Sequence, residues 1–126
     1  GMGVEPCGED TIADSIAVGV PRNPDKAIRA IRDSGGIAVE VDDGEILEAM
    51  RVLGRAQGVF AEPAGAAGMA GLMKAAREGL MPADAFAVAV VTGNGLKDTA
   101  NAILAAGEPM RVPPGFHLPD EWLFRP

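Results

Sequence analysis

A threonine followed by a glycine-rich turn is the feature of this sequence that could best carry chemistry. Thr92 ends an apolar run, residues 86–91, and Gly93-Asn94-Gly95 follows it directly. The run is short enough to be a buried strand, and the two glycines remove side chains that would keep a ligand away from the backbone. Open α/β sheets bind ligands where a strand ends in a turn before a helix. We therefore expect a ligand site at Thr92 and this turn.

A second strand end offers a carboxylate. Glu62 and Pro63 follow a short predicted strand, residues 59–61, and open a segment that reads as a helix up to Gly79. Neighbouring strands of a parallel sheet end at the same edge. Glu62 is therefore expected to lie near Thr92.

Glycines recur at every third position of that helix, at Gly65, Gly68 and Gly71. Each costs up to about 1 kcal/mol of helix propensity relative to alanine. Such a cost predicts a neighbour packed very close to this helix. The neighbour is either a sheet, which we favour, or a bound ligand.

Other chemistries find less support in the residues. Asp42, Asp43 and Glu45 could ligate a metal, but their spacing is not that of an EF-hand and is typical of a helix start. His117, the one histidine, lies in a proline-rich tail away from any serine of the folded region. Asp98 stands where the dinucleotide-binding motif has its third glycine, and its charge would repel a pyrophosphate. We assign no catalytic residue and no metal ligand.

The elements that must position the site alternate between helix and strand. Asn23-Pro24 starts a helix that ends at Ser34-Gly35-Gly36, and the aspartates at 42 and 43 start another that ends before Gly58. Strands are predicted at residues 37–41, 59–61 and 86–91, and a last helix at residues 96–106. This order predicts an α/β fold: a small three-layer unit with a mostly parallel sheet of about three strands flanked by helices. We expect one domain at residues 9–106 and an extended, proline-rich arm at residues 107–126.

Composition narrows the possible partners. The chain has 126 residues and a net charge of −7, which argues against nucleic acid because phosphate backbones need a basic face. No apolar run approaches the roughly 20 residues that span a bilayer. Cys7 is the single cysteine, which excludes an internal disulfide and fits a reducing cytoplasm.

Four motifs follow one another along the chain: Thr11-Ile12-Ala13-Asp14, Ser34-Gly35-Gly36, Glu62-Pro63-Ala64-Gly65-Ala66-Ala67 and Thr92-Gly93-Asn94-Gly95-Leu96-Lys97-Asp98. In this order and spacing they resemble the C-terminal part of threonine synthase. That family belongs to the fold-type-II pyridoxal-phosphate enzymes, with threonine dehydratase and serine racemase as relatives. The resemblance covers residues 9–106, and the combination of its last two motifs is the most specific part.

The resemblance implies pyridoxal 5'-phosphate as the cofactor. Thr92 then corresponds to the hydroxyl residue that hydrogen-bonds the pyridine nitrogen. Glu62 and Ala64 correspond to positions near the ring, and Gly93 and Asn94 to the turn beside it. A hydroxyl stabilises a pyridinium less than a carboxylate does, so the chemistry leans towards elimination and replacement at Cβ and Cγ.

The resemblance also implies that important parts lie elsewhere. In this family the Schiff-base lysine, the glycine-rich phosphate loop and the residues that grip the substrate carboxylate belong to the N-terminal part of the chain. The lysines here are Lys26, Lys74 and Lys97, and none of them matches the Schiff-base lysine.

Three functions follow as alternatives. The first is the C-terminal segment of an enzyme that converts O-phosphohomoserine to threonine, completed by an N-terminal half-enzyme chain or within a longer gene product. The second is a non-catalytic remnant that forms a homo-oligomer or binds a partner through an unpaired sheet edge. The third is an anion-binding module that uses the turn between Gly93 and Lys97.

Overall fold

The fold is known from a computed structural model, which describes residues 4–117 and 119. Four α-helices provide the framework: α1 Pro24–Asp33, α2 Asp43–Val52, α3 Pro63–Arg77 and α4 Thr99–Ala106. A π-helical turn, Leu53–Gln57, continues α2. Short 3-10 turns lie at Asp14–Ile16 and Gly95–Lys97.

The helices begin where local chemistry predicts. Pro24 and Pro63 occupy first-turn positions of α1 and α3, where the missing N–H is not needed. The side chain of Asp42 accepts a hydrogen bond from Glu45 N at 2.8 Å, and Glu45 Oε2 accepts one from Asp42 N at 3.1 Å. This capping box confirms the interpretation of the acidic cluster as a helix start. Asn23 precedes α1 as predicted, although its side chain does not cap the helix.

The core is built largely from alanines. Helix α2 packs against both α3 and α4, and the buried side chains between them are small enough to bring the helix backbones close together. Larger buried side chains come from α2 and its π-helical extension, and partly buried ones such as Ile12, Met69 and Val91 pack against them. The fully buried positions include Ala49, Ala61, Ala66, Ala70 and Ala105, with Ile46, Met50 and Leu53.

The first motif is tied to the start of α2. Thr11 Oγ1 donates a hydrogen bond to Asp43 Oδ1 at 2.6 Å, and Ile12 N donates to both carboxylate oxygens of Asp43 at 3.3 Å. Ala13, which follows, is almost fully buried in the core. Residues 11–13 are therefore anchored to the helical framework.

The predicted α/β architecture is wrong. No strand occurs in the described residues, and the segments predicted as strands, residues 37–41, 59–61 and 86–91, form no hydrogen-bonded ladder with one another. The single bridge joins Ala61 to Asn94 and is antiparallel, not parallel. Apolar alternation describes how a segment could sit on a core, but a strand also needs a neighbour whose N–H and C=O groups face its own. Within the described residues, segments 37–41 and 86–91 have no such neighbour, and segment 59–61 has only the bridge to the turn at residues 93–95.

The described part of the predicted arm has no regular secondary structure. Residues 107–117 contain no helix or strand, and Met110 and Phe116 are 63% and 41% exposed. Most of the predicted arm beyond them, residue 118 and residues 120–126, lies outside the described part of the chain.

Of the helices that the structure describes, none combines the length and the apolar character needed to cross a bilayer.

Candidate functional site at the Thr92 turn

The Thr92 turn lies against the start of α3. Two backbone hydrogen bonds hold it there: Glu62 N donates to Gly93 O, and Gly95 N donates to Phe60 O, each at 3.0 Å. The two sequence motifs with the most specific resemblance are thus joined by the antiparallel bridge. Glu62 and the turn are brought together as predicted, although a bridge does so and not a parallel sheet edge.

Close packing explains three glycines of these motifs. A Cβ on Gly93 would collide with the Glu62 carboxylate, and one on Gly95 would collide with the Phe60 ring. A Cβ on Gly65 would lie 2.8 Å from Gly93 O and 2.9 Å from Gly93 N. The protein itself therefore fills the space that these glycines leave.

The three-residue glycine repeat has no common neighbour. Gly65 alone meets a close contact, and this contact is the Thr92 turn. A Cβ on Gly68 would have nothing within 4 Å, and one on Gly71 would only touch Val39 Cβ at 4.0 Å. The expected sheet packed along the whole repeat is not found.

Glu62 forms a nearly buried ion pair beneath the turn. Its side chain is 6% exposed, and its Oε1 accepts a hydrogen bond from Lys97 Nζ at 2.8 Å, whereas the Lys97 side chain is 61% exposed. The pair links the first turn of α3 to the 3-10 turn that follows Gly93. The sequence analysis did not predict this pair, although Glu62 is the acidic residue and Lys97 the basic residue of two motifs that were predicted to be neighbours.

The remaining predicted site residues surround this pair. Thr92 is exposed, and no described residue hydrogen-bonds its hydroxyl. Ala64 is buried in the first turn of α3. Asn94 is exposed, and its side chain accepts a hydrogen bond from Leu96 N at 2.9 Å. The site thus has an exposed hydroxyl next to a turn that is hydrogen-bonded within the protein.

The amides of the turn are used within the protein. Lys97 N donates to Asn94 O at 3.0 Å, and Asp98 N donates to Gly95 O at 3.1 Å. Asp98 in turn caps α4, with its Oδ1 accepting from Asn101 N at 3.1 Å and its Oδ2 from Asn101 Nδ2 at 2.7 Å. These hydrogen bonds lower the pKa of Asp98 and keep its negative charge beside the turn. An anion-binding role for this turn is therefore disfavoured.

The chain belongs to the pyridoxal-phosphate-dependent enzymes, because the family described as "Pyridoxal-phosphate dependent enzyme" matches residues 2–93. Within this class it is similar to threonine synthases. The threonine synthase of Methanocaldococcus jannaschii is 47% identical over 103 residues, which cover 82% of this chain and 25% of the relative. That of Synechocystis is also 47% identical, over 82% of this chain and 26% of its own length, and that of Methanosarcina acetivorans is 44% identical, over 82% and 25%.

These comparisons confirm the resemblance to the C-terminal part of threonine synthase, and they indicate dependence on pyridoxal phosphate. The chain spans about a quarter of the length of the curated relatives that it matches. It therefore corresponds to one part of these relatives.

The described residues fit one side of the cofactor. An exposed hydroxyl on a rigid turn suits the pyridine nitrogen, which needs a single hydrogen-bonding group. The lysines do not suit the aldehyde. Lys97 is paired with Glu62, and Lys74 Nζ lies 3.0 Å from Glu45 Oε2, while Lys26 is exposed on α1, outside the motifs that form the site.

Proposed function

We propose that this chain supplies the pyridine-facing side of a threonine-synthase-like cofactor site. Thr92 would hydrogen-bond the pyridine nitrogen through its hydroxyl. The observation that carries the proposal is the packing of the Thr92 turn onto the start of α3, where Gly93 leaves room for the Glu62 carboxylate. This packing fixes the turn against α3 and leaves the Thr92 hydroxyl exposed at the surface.

The other proposed cofactor-binding residues have distinct tasks. Gly93 and Asn94 would border the ring edge through the backbone of the turn. Ala64 would limit the space beside the ring from the first turn of α3. Glu62, tied to Lys97, would place a carboxylate close to the ring while remaining out of direct solvent.

In this proposal, catalysis also needs residues that correspond to the other three quarters of the related threonine synthases, which this chain does not match. When bound, pyridoxal phosphate supplies an electron sink for the substrate carbanion. The chain's own residues would bind and orient the ring, and the hydroxyl would leave it a weaker sink than a carboxylate partner would. The proposed reaction of the complete enzyme is conversion of O-phosphohomoserine and water to threonine and phosphate, a lyase step of amino-acid biosynthesis.

The proposal also covers the setting of the chain. Residues 9–106 would act as the cofactor-facing unit and residues 107–126 as an appended arm. The lysine and the phosphate loop would come from an N-terminal half-enzyme sequence. The single cysteine favours a cytoplasmic location.

A titration with pyridoxamine 5'-phosphate tests the ring-binding role. This ligand has the ring and phosphate of the cofactor but no aldehyde, so it cannot attach to a surface lysine. We expect saturable binding by calorimetry and a dissociation constant at least tenfold weaker in Thr92→Val. Thr99→Val is the matched control, because Thr99 is also exposed and lies outside the predicted site, at the start of α4. Equal loss in both variants, or no binding by the parent chain, would contradict the proposal.

Borohydride reduction after incubation with pyridoxal phosphate tests the assignment of the lysines. We expect no stoichiometric adduct in the intact mass, since Lys74 and Lys97 are engaged in ion pairs. A single adduct at one lysine, formed at the same concentration as the non-covalent complex, would show that the chain contains its own Schiff-base residue.

A second function, a non-catalytic association module, is favoured by a different observation. Several large apolar side chains are exposed, among them Phe86 at 96%, Val88 at 78% and Val90 at 72%. Exposed apolar surface of this kind marks interaction sites.

A further inference from the structure

The candidate site places two different acceptor groups near a bound pyridine nitrogen. The Thr92 hydroxyl is exposed, and no described residue hydrogen-bonds it. The Glu62 carboxylate lies close by, because a Cβ on Gly93 would collide with its Cδ and Oε1 atoms. Consecutive Cα atoms are about 3.8 Å apart, so this carboxylate lies within about 7 Å of the Thr92 Cα. An ionised carboxylate favours a protonated ring nitrogen, whereas a hydroxyl can donate to an unprotonated one. The charge on Glu62 therefore matters for the ring.

Lys97 determines how that charge acts. Its Nζ donates a hydrogen bond to Glu62 Oε1 at 2.8 Å, and the Glu62 side chain is only 6% exposed. A carboxylate buried to this extent needs a cation or hydrogen-bond donors, and among the described residues Lys97 supplies the side-chain donor. The ammonium both holds the carboxylate in place beneath Gly93 and balances its charge.

One further charged group belongs to the two segments that meet here. Residues 58–66 and 92–101 contain Glu62, Lys97 and Asp98 as their charged residues. Hydrogen bonds from the side chain and the backbone of Asn101 lower the pKa of Asp98. Asp98 therefore keeps its charge at and above neutral pH, and it contributes equally to every variant of the pair.

The neighbouring elements direct their charged contacts elsewhere. Helix α2 and the turn at Asp14–Ile16 pack on α3, and α2 also packs on α4. None of the contacts that the charged side chains of these elements make within the described residues includes Glu62 or Lys97. These contacts join Arg51 to Glu48 and to Ala105 O, Glu45 to Lys74 and Arg77, Asp43 to Thr11, and Asp14 to Ser15.

We propose that Lys97 is a positioning residue for the cofactor ring: it fixes the Glu62 carboxylate and cancels its charge, so that the ring nitrogen accepts a hydrogen bond from the Thr92 hydroxyl and is protonated less readily. The inference rests on the proposed function and deepens it, because it gives a task to a lysine outside the predicted cofactor-binding residues. The pair joins two motifs of one chain, so the inference does not depend on which polypeptide lies beside the turn.

The pKa of the bound ring nitrogen tests this role. Pyridoxamine 5'-phosphate labelled with nitrogen-15 in the ring reports its protonation by NMR, over the pH range in which the protein stays folded. Lys97→Met leaves the carboxylate unbalanced and should raise the pKa of the ring nitrogen by about 0.5 or more. Glu62→Gln leaves the ammonium unbalanced and should lower this pKa by about the same amount. The double variant should return it to near the value in the parent chain.

Two control variants separate charge from other effects. Lys97→Arg keeps a cation that can donate to the carboxylate, so the pKa of the ring nitrogen should stay near that of the parent chain. Lys74→Met also removes a lysine from an ion pair with a glutamate, in which Nζ lies 3.0 Å from Glu45 Oε2. Lys74 is about 13 Å along α3 from Gly65, which contacts the turn, so this variant should leave the pKa of the ring nitrogen unchanged.

Opposite shifts in the two single variants are the result that charge balance predicts, because simple loosening of the turn would act in the same direction in both. Shifts of the same sign, no shift in either variant, or an equal shift in Lys74→Met would overturn the inference. Circular dichroism checks that each variant is folded. If Lys97→Met does not fold, Glu62→Gln decides alone, and an unchanged or raised pKa of the ring nitrogen would overturn the inference.

Failure of the inference differs from failure of the proposed function. Binding of the ligand that depends on Thr92, without the opposite shifts, would contradict only the role of Lys97. Absence of binding by the parent chain would contradict the cofactor role and this inference with it.

Discussion

Gly65 of α3 packs directly against the backbone of Gly93 in the Thr92 turn. A Cβ added to Gly65 would lie 2.8 Å from Gly93 O, closer than real side-chain carbons come to such an atom. The contact lets Glu62 N reach Gly93 O at 3.0 Å, and it holds the turn against the helix start.

Alanine at two glycines of α3 should have opposite effects. Gly65→Ala pushes the Thr92 turn away and should lower the free energy of unfolding by about 1–3 kcal/mol. Gly68→Ala meets nothing within 4 Å and should raise it by up to about 1 kcal/mol through helix propensity. Urea denaturation of both variants measures the difference. If both variants have a lower free energy of unfolding than the parent chain, the contact with the Thr92 turn is not what distinguishes Gly65 from Gly68.

Replacing Lys97 should destabilise the fold more than replacing Glu62 does. Lys97→Met leaves a nearly buried carboxylate without its cation and should destabilise the fold by about 1–3 kcal/mol. Glu62→Gln keeps an acceptor for Lys97 and should cost less. The double variant should cost less than the sum of the single ones, as measured in a denaturant-based mutant cycle. Additive effects would mean that the two groups do not interact.

Asp98 should stabilise α4 as its N-cap. Asp98→Ala removes the acceptor for Asn101 N and should lower stability by about 1 kcal/mol, whereas Asp98→Asn retains an acceptor and should cost less. Thermal unfolding followed by circular dichroism separates the two variants. If both melt at the temperature of the parent chain, the hydrogen bond contributes nothing to the helix.

Glu45 should make the fold sensitive to acid. Hydrogen bonds from Lys74, from the backbone of Asp42 and from Arg77 lower its pKa from 4.5 to about 2. A lowered pKa adds stability that is present above pH 4.5 and is lost as the pH falls towards 2. Glu45→Gln should flatten the stability profile over this range.

The control for the acid profile is Glu48→Gln. Glu48 lies on the same helix and pairs with Arg51 at 3.0 Å, but its side chain is 56% exposed. Because exposed pairs contribute little, this variant should leave stability nearly unchanged. An acid profile that Glu45→Gln does not alter would show that the pairs with Lys74 and Arg77 are unimportant in solution.

The helix boundaries could be predicted because their causes are local. Pro24 and Pro63 favour first-turn positions, Asp42 and Glu45 form a capping box three residues apart, and Gly58 ends the π-helical turn with a φ of +65°. Each of these signals acts within a few residues of the backbone that it shapes. They therefore survive in the tertiary structure even though the predicted sheet does not.

The neighbourhood of Glu62 and Thr92 could also be predicted, but by an incorrect route. We expected the ends of two parallel strands, and the structure provides an antiparallel bridge from Ala61 to Asn94. The strand pattern therefore predicted the right neighbours for a reason that the structure does not bear out. The ion pair with Lys97 could not be predicted, because a 35-residue separation sets no distance between two side chains.

The sequence by itself determined the helix starts and ends, the small side chains of the core and the family motifs, since these depend on residue type and short-range spacing. The tertiary structure alone decided which apolar segments pair. Residues 86–91 have the composition of a buried strand, yet Val88 and Val90 are exposed, because a strand becomes a strand only when another backbone satisfies its hydrogen bonds. The partner backbone lies outside the segment, so the residue pattern within the segment cannot show whether a partner is present.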